Sequence, residues 1–498
     1  MLRHYSQQHH STITAALAAD LRQRVPAHAR APPAPSARTA ELQSPESATY
    51  SGIEMRVLAL LAAATVILAQ SAPPLEKPRA ETFDRTEEVA PGVTFRERRF
   101  WRGNEGPFTM QILEIQPKHP AVNLLAVRGN DRLNSRETVS SMARRYGAAA
   151  AVNGGYFVVS GPLAGASTGP WQFNRRPMYA GSGRSGVVFC EEQDFVEQIE
   201  VARIDWQGEV RAASGQFYPL AGLNREAAGD ELVVFEPEFG ENTPAAEEGT
   251  EVALDSGGKV VAIEEEGGGI PIPEGGLVLS GKGAAAEWLA RNATEGAELE
   301  VAYALQTTPA SCVAEDIVGA GPRIVREGEV SVAEEGFGHA SVRHPRTAAA
   351  VTRRGTILLV TVDGRQANSI GMRLDELAEE LVALGAREAV NLDGGGSTTM
   401  VVQGRIRNSP SDPRERPVSD GILVFSIASA EDLQGLLERL VNNTGHIQPQ
   451  HWPALREALS QGPAALRQAV DALEGRGVSP AAARLLREGA YAVEAQAR

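Results

Sequence analysis

The feature that most limits what this chain can fold into is a series of short apolar runs that begins near Phe83. Residues 108–115, 122–127, 186–189, 232–235, 276–279 and 299–305 are rich in β-branched residues and are broken by Gly, Pro and Asn. Their length and alternation predict strands. Helical spacing occurs in fewer places. Val139, Met142 and Ala143 predict a helix over 140–146. Leu374, Leu377, Ala378, Leu381 and Val382 predict another over 374–384, with Gly385 as its stop. After Ser426 the pattern changes to four short amphipathic helices, 430–440, 453–459, 463–473 and 480–492, the last three opening with Pro. The expected class is α+β or α/β: one strand-rich domain with a mixed sheet and few helices, plus a short C-terminal helical appendage.

The N-terminal region reads differently. Met55-Arg56 precedes thirteen uncharged, mostly aliphatic residues, 57–69, and then Gln70-Ser71-Ala72-Pro73-Pro74. A basic residue, a short apolar core and a small-residue exit are the parts of a signal peptide, expected over 55–72. A membrane span needs about 20 apolar residues, so no stable span is expected. Translation is expected to start at Met55, leaving 1–54, with its Pro/Ala-rich stretch at 30–38, as a disordered or mis-annotated extension. The product would be secreted, periplasmic or held in the cell envelope.

Net charge is -15, and because residues 1–54 carry +1 the remainder carries -16. Such an acidic body argues against a nucleic-acid partner. Cys190 and Cys312 are the two cysteines, which excludes an all-cysteine zinc site; a single bridge and two separately buried thiols both remain open. Residues 236–266 hold ten acids and one Lys, which we read as a solvated hairpin face in preference to a calcium site.

Chemistry concentrates in 344–425. A buried-type strand, 356–362, ends in Asp363-Gly364-Arg365. The 374–384 helix follows, and a second strand, 389–392, ends in Asp393-Gly394-Gly395-Gly396-Ser397. If the two strands are parallel, both carboxylates emerge at one sheet edge, where α/β sheets place ligands. The glycines let backbone N–H groups approach an anion. A similar loop, Asn153-Gly154-Gly155-Tyr156-Phe157, follows the apolar run 149–152, and its aromatics could form a sugar platform; taken singly, each loop also reads as a tight turn. Arg323, Arg346 and Arg365 offer the fork geometry that phosphate needs. Two strings are rejected. Gly181–Gly186 fits a dinucleotide fingerprint but runs into a strand, and Gly165–Gly169 fits a nucleophile elbow but is flanked by Pro162 and Pro170.

Asn153–Phe157, Gly321-Pro322-Arg323, His344-Pro345-Arg346-Thr347, Val362–Arg365, Asn391–Thr398 and Arg416–Asp420 occur in this order. Over roughly 83–427 the chain resembles the phosphodiester glycosidase family, that of the lysosomal "uncovering enzyme" that removes N-acetylglucosamine from phosphomannose. The resemblance implies a catalytic domain over 83–427, with 428–498 as a helical tail. It implies hydrolysis of a sugar-1-phosphodiester or phosphate-containing glycan by glycosidic C–O cleavage, releasing sugar and a phosphomonoester. Asp393 would be the leading carboxylate and Asp363 its partner. Arg323, Arg346 and Arg365 would hold the phosphate, with the backbone of Gly394, Gly395 and Gly396 and Ser397 assisting. Asn153 and Tyr156 would hold the sugar, and the motif residues Gly154, Gly155, Asn391 and Thr398 would also belong to the substrate site. No cofactor is required, though Asp363, Asp393 and Asp420 are the candidate ligands for a divalent cation. Competing readings are a non-catalytic binder of anionic polysaccharide and a phosphodiesterase that cleaves P–O.

Overall fold

The computed structural model describes residues 81–496, apart from 162, 182, 192–196 and 333–337. The 1–54 extension, the signal peptide at 55–72 and the start at Met55 lie outside the described residues.

Period-two alternation builds the centre. In Glu105–Ile115, Leu113 and Ile115 face one core while Met110 and Ile112 face another. Ile357–Val362 repeats the division, with Ile357 and Leu359 on one side and Leu358, Val360 and Val362 on the other. These strands belong to an eight-stranded sheet in which neighbouring strands pair antiparallel. A five-stranded antiparallel sheet contains Val122–Arg128, Ala150–Asn153, Met400–Val402 and Asp420–Ser426. Leu124, Val152, Ile422 and Val424 join the first core, whereas Leu125, Ala151, Leu423 and Phe425 join a third. Each sheet is therefore apolar on both faces, which is why its strands read as continuous apolar runs.

Helices close the outer faces. Leu374–Ala383 covers the eight-stranded sheet; Glu376 accepts from the Arg373 N–H at its start, and Gly385 follows its end with a φ of +90°. Val139–Tyr146 and the C-terminal helices Ala430–Asn442, Trp452–Ser460, Pro463–Leu473 and Pro480–Gln496 cover the five-stranded sheet. The order is helix, sheet, sheet, helices. Arg484 of the last helix also pairs with buried Asp316 at 2.5 Å.

Two further sheets lie beside this sandwich. One pairs Glu197–Ala212 with Leu299–Thr308 over ten register positions. The other, over 222–281, pairs Gly222–Leu223 parallel to Leu232–Phe235, and includes the hairpin Thr250–Leu254 and Val260–Glu265. That hairpin is where the acidic stretch sits; its second strand is largely exposed, as a solvated face should be. A helix not read from the sequence, Ala284–Asn292, packs Ala285, Trp288 and Leu289 against this sheet. Cys190 and Cys312 are disulfide-bonded, which resolves the alternative left open above. No helix among the described residues is long and apolar enough to cross a membrane.

Candidate active site

Ile357–Val362 and Ala386–Asn391 run in the same direction, with Arg346–Thr352 lying between them and antiparallel to both. Asp363 and Asp393 consequently leave the same sheet edge, although their strands are not neighbours. Arg346 starts its strand opposite Val362, so it lies at that edge too. The five-stranded sheet contributes Asn153, which sits opposite Gly421 beside Asp420. The site forms at the seam where the two sheets end.

A cleft of about 490 Å³ opens there. Tyr156, Arg346, Arg365, Asp393, Gly394, Gly395 and Gly396 line it, as expected. Thr168, Arg184 and His339 line it as well and were not anticipated, and so do His344 and Arg416, which belong to the motifs but were given no role. Four arginines thus face one carboxylate among the described lining residues, on a protein of net charge -15.

Asp393 is half-buried, with Oδ1 accepting the Gly394 N–H at 2.9 Å. Burial pushes its carboxyl up to about 6, against opposing hydrogen bonds from Ser397 and Gly394 and the charge of Arg416. Arg346 is buried and donates to the carbonyls of His339, Val342 and Met372 at 2.7–2.9 Å. No carboxylate among the described residues pairs with it. Burial, together with the charge of Arg365, lowers it to about 10. A desolvated guanidinium held only by carbonyls is a place for an anion. Arg416 is tied to Asp412 at 2.7 Å, and a Cβ on Gly396 would lie 2.1 Å from its Nη2, so a larger residue there would displace this ion pair. Tyr156 donates to the Gly321 carbonyl at 2.8 Å and lies beneath the Arg184 guanidinium, 5.5 Å from the ring centre. Burial, then the charge of Asp393, raises its phenol.

The remaining expected residues stand behind the cleft. Asn153 is fully buried; it donates to the Asp393 carbonyl at 2.7 Å and accepts from Thr347 and Thr399. It braces the Asp393 loop and does not line the cleft. Gly154 and Gly155 lie against Asp420 and Gly319, where a Cβ would come within 2.0 and 2.3 Å. Asn391 donates to the Tyr156 hydroxyl at 2.6 Å, and Ser397 and Thr398 are buried. Arg323 does not reach the cleft, because Glu388 engages it, with Nε to Oε2 at 2.9 Å. Asp363 is walled in by Gln111 Nε2 at 3.1 Å and the Ser409 N–H at 2.8 Å, and burial raises it to about 6. Asp420 is paired with Arg128 at 3.0 Å and accepts the Gly155 N–H at 2.7 Å. Asp363, Asp393 and Asp420 do not converge as a ligand set. The group of three potential metal-binding side chains found among the described residues is Cys190, Glu200 and Cys312, and its cysteines are bridged.

The family model for phosphodiester glycosidases matches residues 248–425, which include Arg346, Arg365 and Asp393; Tyr156 and Arg184 precede the match. The uncharacterized SPbeta prophage-derived protein YomE of Bacillus subtilis is 37% identical over 84 residues, 17% of this chain and 13% of its own length. The N-acetylglucosamine-1-phosphodiester alpha-N-acetylglucosaminidase of Bos taurus is 45% identical over 67 residues, 14% of this chain and 12% of that one. The chain therefore matches about an eighth of the length of these curated relatives. A solved structure of a Burkholderia pseudomallei protein shares the fold, with a TM-score of 0.62 at 24% identity over 71% of this chain and 98% of that one. The resemblance read from the motifs is borne out.

Proposed function

From the match of residues 248–425 to phosphodiester glycosidases, we propose that this protein hydrolyses a sugar-1-phosphodiester outside the cytoplasm. The observation that carries the reading is the cationic cleft with one carboxylate on an otherwise acidic protein. Arg346 and Arg365 hold the phosphate, and the Gly394–Gly396 turn lies close beside them. Tyr156 packs against the sugar. Asp393 faces the anomeric carbon, stabilises the oxocarbenium ion that develops there and takes a proton from the attacking water. The C–O bond breaks with its electron pair moving to the phosphate. A phosphomonoester leaves readily, so a second carboxylate acting as general acid is not needed, in keeping with Asp363 being walled off. Export through the 55–72 segment belongs to the same reading, and N-terminal sequencing of the secreted protein tests it: a mature end far from 69–72 would refute it.

The deciding experiment is hydrolysis of a synthetic sugar-1-phosphodiester in heavy-oxygen water. Label in the sugar supports glycosidic cleavage. Label in the phosphate means P–O cleavage, and binding without products means a polysaccharide-binding protein.

A further inference from the structure

His344 stands on the cleft wall with Arg346 and Arg365. Its main chain is fixed, since its N–H donates to the Met372 carbonyl at 3.2 Å and its own carbonyl accepts the Met372 N–H at 3.0 Å. The ring meets His339 edge-on, with centroids 5.9 Å apart. Arg365 Nη2 lies 3.1 Å from its Nδ1. A guanidinium carries donors and no acceptor, so Nδ1 must present its lone pair and the ring proton must sit on Nε2. Protonating Nδ1 would set N–H against N–H. Burial and the charges of Arg346, Arg365 and His339 favour the neutral ring in the same direction. Nothing among the described residues is seen to accept from Nε2.

We infer that His344 is a neutral hydrogen-bond donor to the bound phosphate, its Nε2–H completing the anion site formed by Arg346 and Arg365. This rests on the phosphate-binding part of the function proposed above. The positive fields of Arg346 and Arg365 add within the cleft, and an anion held by Arg365 lies beside the imidazole that this guanidinium touches. A neutral donor adds direction without a third charge, and Arg365 acts twice, as a cation toward the phosphate and as the group that sets the His344 tautomer.

Two substitutions separate the two sides of the ring. Asn at 344 keeps an acceptor near the Nδ1 position and loses the donor beyond it. Gln places an amide N–H near the Nε2 position and loses the Arg365 acceptor. Binding of inorganic phosphate, followed by calorimetry at pH 7, is expected to weaken about tenfold in His344→Asn, the worth of one good hydrogen bond, and less than threefold in His344→Gln. Long-range proton–nitrogen NMR of the wild-type protein should show His344 neutral and protonated on Nε2. A ring protonated on Nδ1 overturns the inference, as does weakening that is equal in the two variants or larger in Gln. If the wild type shows the Nε2–H ring but binds no phosphate, the phosphate-binding reading of the cleft fails, and this inference fails with it. Phosphate binding with the wrong tautomer removes this inference alone.

Discussion

Two loops leave the same edge of the eight-stranded sheet, each opening with Asp-Gly, and they end in different surroundings. The 393–396 loop opens into the cleft, whereas the 363–365 loop turns its Asp inward to Gln111 and Ser409 and offers the cleft only Arg365. Burial raises both carboxyls to about 6, so a displaced titration does not by itself mark the catalytic group. What separates them is access. The buried arginines repeat the lesson: Arg323 has Glu388 as its counter-charge, and Arg346 has only main-chain carbonyls. A charge already matched within the protein is structural. One left for something else to match is available to a ligand.

The contrast is sharpest at the two aspartates. Asp393→Asn should lower turnover of a sugar-1-phosphodiester about 10³-fold, within the range for losing a general base. Asp363→Asn should stay within about tenfold and instead lose about 1–3 kcal/mol of stability, because its new N–H₂ faces existing donors. Equal loss of turnover in both would break the comparison. Among the arginines, Arg346→Ala should raise the Michaelis constant about 10- to 100-fold, from charge-assisted bonds worth about 1.5–3 kcal/mol. Arg323→Ala should leave that constant nearly unchanged but lower the melting temperature, since it strands Glu388 among buried groups. A pH series resolves a smaller effect. With Asp393 near 6, kcat/KM should climb as pH rises to about 6 and then level off. Its folded value lies above the ordinary 3.8, so the folded state holds that proton more tightly than the unfolded chain does, and stability falls as pH rises from about 4 to about 6. Asp393→Asn should therefore be more stable than wild type by about 1–2 kcal/mol above pH 6, with the gap closing below pH 4 in chemical denaturation.

Local patterns carried much of this into view. The strand that runs into Asp393 and three glycines could be read in sequence because apolar run, carboxylate and turn are contiguous. The class of fold was legible too, since sheets apolar on both faces leave continuous apolar runs. Arg323 and Arg346 could not be told apart in that way: the partner of Arg323 is 65 positions away, and only the register of Arg323–Arg326 on Ala386–Asn391 brings Glu388 to it. Thr168 and Arg184 sat inside strings set aside as a false nucleophile elbow and a false nucleotide fingerprint. A strand, Arg184–Glu191, continues the second string where a nucleotide motif needs a helix, but both loops still reach the cleft. His339 gave no local signal, because nothing nearby in sequence indicates that Arg346 holds its carbonyl.

Asn153 has a consequence of a different kind. One amide of the five-stranded sheet spans the seam, gripping Thr347 and the Asp393 carbonyl on the eight-stranded side and the Thr399 N–H beside its own sheet. The two sheets therefore cannot slide past each other without moving Asp393. A frame locked in this way leaves little room for adaptation in its strands, so new substrates would be accommodated by exchanging the loops around the rim, such as those carrying Thr168, Arg184 and His339, while the seam stays as it is.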